Sequence, residues 1–242
     1  MSATLSDLES FLSDARVDPA VLELRPDYRA LLVAVSGLAP ASSDEESEEL
    51  LLAAEQSARE SLAVAPVQDL PHVAAWREAY RAFGAKPQRT RNSLEALMRR
   101  ADSGLPRVNR LTDLYNAVSV LHQVPLGGED LDRYASSPQL VRATGEEPFD
   151  TLAQGEPVTE HPEPGEVVWR DAEGVTCRRW NWRQGRRTQL RDETTAAIFI
   201  LDALDPMTDE QLHAAADDLL THLGNGASEL VSARRLLGRS GA

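Results

Sequence analysis

Cysteine, aromatic side chains and long apolar runs are scarce in this sequence. Its one cysteine, Cys177, excludes an internal disulfide and a cysteine-rich zinc site. No apolar run approaches the roughly 18 residues that a membrane span needs. The segment 1–7 carries acid where a signal peptide carries base. Because 42% of the residues are hydrophobic and 26% are charged, a globular protein is expected, and the setting is predicted to be cytoplasmic.

Motifs of several common chemistries are also missing. The sequence has no glycine-rich phosphate loop, HExxH, GxSxG or CxxC, and its histidines are scattered. We therefore expect no metal site and no cofactor. Cys177 has no histidine near it in sequence, which favours a small buried hydrophobe over a nucleophile.

Charge is unevenly distributed along the chain. Acids outnumber bases by 39 to 25, and residues 1–70 alone hold 14 acids and 4 bases. Residues 77–110, in contrast, hold 9 bases and 3 acids, and residues 170–191 hold 7 bases and 2 acids. Two basic islands of this kind could bind a polyanion locally. The alternative is that each island is a solvated face paired with nearby acids.

Helical spacing and capping residues predict most of the helices. They are expected over 5–15, over 73–83 with a stop at Gly84, and over 93–102, 109–123 and 208–223. A further helix is expected through Leu62, with hydroxyl caps at Ser42 and Ser43 and the acids Asp44, Glu45 and Glu46 in its first turn. The segment 93–102 begins with the capping-box-like Asn92-Ser93-Leu94-Glu95.

Extended segments follow a different pattern. Residues 20–36 suggest one or two strands, Pro125–Gly128 a loop, and 196–204 a strand or the core of a helix. Short runs in the second half predict an antiparallel sheet, namely Leu140–Ala143, Glu166–Arg170, Val175–Trp180 and Arg187–Leu190. Helices and strands in mixed order predict an α+β fold, with mixed, largely antiparallel sheets and packed helices.

A polar stripe runs along the helix predicted over 109–123. Asn109, Asp113 and Asn116 fall on one face, apart from an apolar face of leucine and valine. Asparagine is a poor helix former that offers a donor and an acceptor together. The stripe is therefore either a pocket wall or a set of capping and packing residues.

Arginine alternates with tryptophan in Cys177-Arg178-Arg179-Trp180-Asn181-Trp182-Arg183. In a strand, Arg179 and Arg183 would share one face, while Trp180 and Trp182 would share the other. This combination suits single-stranded nucleic acid, since guanidinium binds phosphate and indole stacks on bases. The alternative is a strand with a tryptophan face in the core and a solvated arginine face.

Over residues 76–200 the chain resembles the tRNA-editing (B3/B4-type) domain of the phenylalanyl-tRNA synthetase β-subunit, in its freestanding form. The matching segments, in order, are Trp76-Arg77-Glu78-Ala79-Tyr80 with Phe83-Gly84, Ser93–Leu97, Leu105–Asn109, Asp113–Asn116, Pro125–Asp130, Gly165–Trp169, Arg179–Arg183 and Thr188. The resemblance implies hydrolysis of the ester that joins a wrong amino acid to the 3′ end of tRNA.

Two departures from the synthetase motifs concern the pocket. A histidine of the synthetase corresponds to Gly127 here, and its pocket glutamate falls near the apolar Ile200. Specificity for tyrosine is therefore not expected. The resemblance allows other substrates, including a non-protein amino acid such as an arginine analogue.

The resemblance and the patterns above give three sets of candidate residues. The catalytic candidates are Asn116, Asp113, Gly127 and Gly128. The substrate-binding candidates are Asn109, Tyr115, Asp130, Asn181, Trp180, Trp182 and Thr188. The tRNA-binding candidates are Arg178, Arg179, Arg183, Arg89 and Arg91. Asp113 is expected to bind the substrate ammonium, while the two glycines would bring backbone N–H groups to the ester.

The domain organisation is expected to be simple. Residues 1–70 would form an N-terminal extension packed on the same domain, 71–230 the editing-type tRNA-binding domain, and 231–242 a loose tail. The expected partner is the aminoacylated 3′ end of tRNA, with no membrane partner and a monomer favoured. A non-catalytic module that binds tRNA or an amino acid, or an unrelated small-molecule hydrolase, remain alternatives.

Overall fold

A computed structural model describes residues 3–39, 41–227 and 229–238. Over these ranges the helices are α1 (Leu5–Ser13), α2 (Pro19–Leu24), α3 (Glu45–Val64), α4 (Pro71–Ala82), α5 (Ser93–Met98), α6 (Arg110–Leu121) and α7 (Asp209–Gly224). Short 3₁₀ turns cover Val67–Asp69 and Leu131–Arg133. No helix within the described ranges is long and apolar enough to cross a bilayer.

Within the described residues the strands form three sheets. They are β1 (Arg16–Val17), β2 (Arg29–Ser36), β3 (Leu126–Asp130), β4 (Gln139–Arg142), β5 (Phe149–Ala153), β6 (Glu156–Glu160), β7 (Val167–Arg170), β8 (Val175–Arg178), β9 (Arg183–Gln184), β10 (Ala196–Ala203) and β11 (Val231–Gly238). The sheet orders are β11-β2-β10-β3, β1-β4-β7-β8-β9 and β5-β6. All pairs except β1 with β4 are antiparallel. The α+β fold predicted from the sequence is confirmed.

The four-stranded sheet is buried on both faces. Because side chains alternate along a strand, Leu32 of β2 and Ile200 of β10 lie in one apolar cluster with Trp76 of α4 and Trp180. Val33 and Phe199 lie on the opposite face, in a second cluster packed against α6 and α7. Two covered faces explain why β2 and β10 read as continuous apolar runs rather than alternating ones.

Side-chain caps start the longer helices, at Thr208 as the sequence predicts and at Asp44 instead of the predicted Ser42 or Ser43. The Asp44 carboxylate accepts the N–H of Ser47 at 2.8 Å before α3, and Thr208 accepts the N–H of Gln211 at 3.2 Å before α7. Each satisfies a helix donor that has no partner within the helix. Gly84 follows α4 with a φ of 91°, as predicted for a left-handed cap.

Several sequence-based predictions are wrong. Residues 19–24 form α2 because Asp18 caps the segment and Pro19 occupies its first turn. The predicted loop at 125–128 is largely β3, which pairs with β10, while 187–190 contributes only an isolated bridge from Gln189 to Glu129. The predicted tail contains β11, which pairs along all of β2. Residues 239–242 lie outside the described residues.

The acidic N-terminal segment neutralises part of the first basic island. Ion pairs join α3 and its cap to two arginines of that island, namely Arg107–Glu48 at 2.7 Å, Arg107–Glu55 at 2.5 Å, Arg110–Asp44 at 2.8 Å and Arg110–Glu46 at 2.9 Å. The fully buried Glu95 carboxylate lies 2.7 Å from Arg77 and 2.9 Å from Arg99. Much of this island therefore stabilises the fold instead of facing a partner.

Candidate active site

A cavity of about 270 Å³ opens where the four-stranded sheet meets α5, α6 and the turn after β8. Its polar lining residues are Ser93, Arg100, Tyr115, Asn116, Glu129, Asn181, Arg183, Gln184 and Asp202. Its apolar walls include Leu97, Pro106, Trp169, Trp180, Trp182 and Ile200. A concave site with apolar walls and a few converging polar groups is typical of small-molecule binding.

Two buried carboxylates, Glu129 and Asp202, lie at opposite ends of the cavity floor. Glu129 pairs in register with Ile198, and Asp202 is four residues further along β10 on the same sheet face. The two Cα atoms are therefore about 13 Å apart along the strands. Gly127 and Ile200 lie between them. The floor thus places an acid at each end and little side-chain bulk in the middle.

Asp202 is held by a chain of hydrogen bonds. Tyr28 donates to its Oδ1 at 2.5 Å, and Asn181 donates to its Oδ2 at 3.3 Å. Tyr80 in turn donates to the amide oxygen of Asn181 at 3.0 Å, which fixes the amide orientation. Burial raises the pKa of Asp202 to about 7, and these hydrogen bonds oppose the rise only in part. The side chain is therefore poised to exchange a proton near neutral pH.

Glu129 has a comparable environment at the other end. It is buried, and the hydroxyl of Tyr134 donates to its Oε2 at 2.6 Å. Burial raises the pKa of Glu129 above its ordinary value, against the hydrogen bond from Tyr134. A cationic group of a ligand would favour the ionised form of this carboxyl.

Asn116 lies on the wall formed by α6. Its side chain is 7% exposed and lines the cavity beside Tyr115. Within the described parts of the chain its amide has no hydrogen-bond partner, so its donors and acceptor are available to a ligand. The pocket-wall interpretation of the polar stripe therefore holds for Asn116.

The other two residues of that stripe have structural roles. Asn109 is the cap of α6, accepting the N–H of Thr112 at 2.9 Å. Asp113 is completely buried, accepting the N–H of Val108 at 2.8 Å and the hydroxyl of Ser43. Neither lines the cavity. Asp113 does not fit its predicted role as the ammonium ligand, because it is buried outside the cavity, where it holds the segment before α6.

The paired glycines are strand residues with close neighbours. A Cβ on Gly128 would lie 2.7 Å from Phe199 and 2.9 Å from Leu190, so this glycine serves packing. A Cβ on Gly127 would lie 2.9 Å from Nε2 of Gln184. That nitrogen donates to the Gly128 carbonyl at 3.0 Å. The space at position 127 is therefore occupied by the Gln184 amide, which lines the cavity.

The turn after β8 breaks the predicted strand alternation. Arg179 and Trp180 have φ values of 47° and 69°, so the chain leaves the extended conformation after Arg178. Trp180 consequently enters the core and lines the cavity, while Trp182 is half-buried. The prediction of separate arginine and tryptophan faces is wrong.

The arginines of this segment are mostly paired within the protein. Arg178 is buried and donates to both oxygens of Glu166, at 2.9 and 2.8 Å. It also reaches Glu160, as does Arg183 at 2.5 Å. Arg178 is therefore structural and does not fit its predicted role in tRNA binding. Arg183 stays at the cavity edge, 4.8 Å from the Trp182 ring centroid.

The remaining predicted residues divide between the cavity and its surroundings. Asn181 lines the cavity. Asp130 and Thr188 do not, since Asp130 accepts the hydroxyl of Thr194 at 2.9 Å and Thr188 accepts the N–H of Asp130 through its carbonyl at 2.8 Å. Arg89 and Arg91 are exposed outside the cavity.

Asp202, Glu129 and Gln184 are among the cavity residues that the sequence does not predict. Asp202 lies two positions after Ile200. If residues 196–204 are treated as a strand, the period of two places both side chains on the same face. The same period along β3 relates Glu129 to Gly127. Gln184 has no signal in the sequence, because its position depends on the turn at 179–182.

The chain resembles an N-terminal fragment of the phenylalanyl-tRNA synthetase β-subunit from Pyrococcus horikoshii, with a TM-score of 0.44 and 14% identity. The match covers 93% of this chain and 51% of that fragment, so the chain spans about half its length. Comparison with curated protein sequences found no match. A family model described as the B3/4 domain matches residues 75–220. The chain therefore belongs to the B3/4 domain family.

Proposed function

We propose that this protein hydrolyses the ester bond between a mischarged amino acid and the 3′ end of tRNA, acting in trans on the released aminoacyl-tRNA. The cavity supports the proposal most directly, because it combines the unbonded amide of Asn116 with two buried carboxylates, Glu129 and Asp202. Membership of the B3/4 domain family is compatible with this activity.

The reaction needs little from the protein because an aminoacyl ester is already activated. In the proposed step, water attacks the ester carbonyl while the carboxylate of Asp202 takes its proton. The C–O bond to the 3′ oxygen of the terminal ribose then breaks, and that oxygen leaves as the hydroxyl by taking the proton from Asp202. A general base is most effective when its pKa lies near the working pH, and Asp202 has a pKa of about 7. The amide of Asn116 donates to the developing oxyanion, a contribution of about 10²- to 10³-fold for one donor.

The substrate ammonium needs a carboxylate, which Asp113 cannot supply. We assign this role to Glu129, because it is buried at the opposite end of the floor from Asp202. Trp180 and Trp182 on the wall enclose the side chain of the amino acid. The Gln184 amide, which fills the space beside Gly127, supports a substrate other than tyrosine, including a non-protein amino acid.

The decisive experiment is single-turnover hydrolysis of a panel of mischarged tRNAs. Asn116→Ala is compared with Gln56→Ala, which replaces an exposed amide on α3 that does not line the cavity. We expect Asn116→Ala to slow hydrolysis by about 10²- to 10³-fold and Gln56→Ala to leave it unchanged. Equal rates in both variants would refute the role of Asn116.

A non-catalytic module that binds tRNA or an amino acid is the second candidate. It is favoured by Gly127, which leaves the position of the synthetase histidine without a side chain. The same experiment separates the two functions, since a binding module leaves the ester intact at saturating protein.

A further inference from the structure

A second concave site lies outside the cavity, between the turn after α4 and the turn before β7. It has a volume of about 290 Å³. The residues that matter here are Phe83, Lys86, Arg89, Thr90, Glu166 and Arg179, and we call the site the basic groove.

Lys86 and Arg89 give the groove free positive charge. Both side chains are exposed, and neither has an ion pair or hydrogen bond within the described ranges. This contrasts with Arg107 and Arg110 in the same basic island, which are held by carboxylates of the N-terminal segment. Charges without an internal partner are the ones available to a ligand.

Arg179 supplies a third cation that is fixed in place. Its guanidinium lies 4.6 Å from the ring centroid of Trp182 and donates to the hydroxyl of Thr90. Its Nε lies 3.5 Å from Glu166, but that carboxylate is already engaged on both oxygens by Arg178. A planar guanidinium held in this way is preorganised to bind a phosphate.

The groove adjoins the cavity through two contacts. The hydrogen bond between Arg179 and Thr90 forms one wall of the groove. Two and three residues further along these segments, the N–H of Ser93 donates to the carbonyl of Asn181 at 3.1 Å, and both residues line the cavity. A chain bound in the groove is therefore within a few residue lengths of the cavity, at most about 10 Å for three extended residues.

We propose that the basic groove binds a backbone phosphate of the single-stranded RNA whose aminoacylated 3′ end enters the cavity, an inference that rests on the proposed function. Lys86, Arg89 and Arg179 contact the phosphate, and the half-buried ring of Phe83 offers an apolar edge to the adjoining nucleotide. The exposed Glu163 at the rim keeps the net charge modest, so the groove positions the strand without binding it tightly.

The test measures binding of a short single-stranded RNA ending in CCA by fluorescence anisotropy over a range of salt concentrations. Lys86→Gln/Arg89→Gln is compared with Arg59→Gln/Arg234→Gln, which removes two exposed positive charges elsewhere. We expect the groove variant to bind about tenfold more weakly, with a slope of log K against log salt shallower by about 1.4. The control variant should keep the wild-type affinity and slope.

Equal affinities and slopes in the two variants, or no binding of this RNA by the wild type, would overturn the proposal. Hydrolysis of aminoacyl-tRNA by the same samples tests the proposed function separately. If the wild type hydrolyses the ester and the groove variant keeps its kcat/KM, the groove proposal fails and the deacylase proposal stands. If the groove variant loses RNA affinity while the wild type hydrolyses no ester, the basic groove binds RNA as proposed and the deacylase proposal fails.

Discussion

Replacing Asp202 with asparagine should make the protein more stable at alkaline pH relative to wild type. Asp202 is buried, and its pKa of about 7 lies well above the value of roughly 3.9 for an unfolded aspartate. A folded pKa above the unfolded one means that the folded state holds the proton more tightly. The stability from this group is therefore present below pH 4 and is lost as the pH rises through 7.

The size of the effect follows from the two pKa values. Between pH 5 and pH 8 the wild type should lose about 2.5 kcal/mol of unfolding free energy through this group alone. Asp202→Asn removes the titration and keeps a side chain of the same shape. The stability of the variant minus that of the wild type should therefore rise by about 2.5 kcal/mol over this range.

Urea unfolding at several pH values measures this difference. At roughly 2–3 kcal/mol per molar urea, the midpoint of the variant should shift by about 1 M relative to wild type between pH 5 and pH 8. Asp27→Asn is the control of opposite sign. Burial alone would raise the pKa of Asp27, but hydrogen bonds from Arg25 and from the backbone of Asp205 outweigh it and lower this pKa below its ordinary value. Its variant should lose stability relative to wild type as the pH rises from 3. Parallel curves for Asp202→Asn and wild type would refute a raised pKa at Asp202.

Three further predictions concern stability. Burial lowers the pKa of His72 to about 4, so the folded state resists protonation of this side chain. The unfolding free energy of wild type, relative to that of His72→Gln, should therefore fall by about 2 kcal/mol as the pH drops from 8 to 5. Urea titrations measure this difference, and a constant difference would contradict the prediction. Gly128→Ala should lower the free energy of unfolding by about 1–3 kcal/mol, because the added methyl group overpacks against Phe199. Gly224→Ala is the control and should be nearly neutral, because a Cβ there meets nothing nearer than 3.9 Å. Equal denaturation midpoints for the two variants would contradict the packing role of Gly128. Glu95→Gln leaves the arginines around this buried carboxylate unpaired and should cost about 3 kcal/mol by calorimetry, and an unchanged Tm would show that the cluster is not stabilising.

The parts of the fold that the sequence predicts are those determined by residues close together along the chain. Capping side chains such as Asn92 and Thr208 act within three residues, so the sequence predicts the helices that they start. The continuous apolar run of β10 is compatible with a strand or with the core of a helix, because burial on both faces removes the period of two that identifies a strand. β11 was missed because its role depends on pairing with β2, nearly 200 residues earlier.

Site residues also differ in whether a local sequence pattern or a distant contact determines their role. Asn116 was found because a polar stripe on a helix is a local pattern. Asp113 belongs to that stripe too, but its contact with Ser43 comes from a distant segment and makes it structural. Asp202 and Gln184 reach the cavity only through sheet register and the left-handed turn at Arg179, which sequence patterns do not reveal.

The central claim is that the cavity around Asn116 hydrolyses an aminoacyl ester on tRNA. Single-turnover hydrolysis by wild type and Asn116→Ala, at saturating protein and with a panel of mischarged tRNAs, tests it most directly. We expect wild type to hydrolyse the ester of at least one tRNA, and we expect the substitution to slow this hydrolysis about 10²- to 10³-fold. Esters that survive wild-type protein at the uncatalysed rate, or that both proteins cleave equally fast, would contradict it.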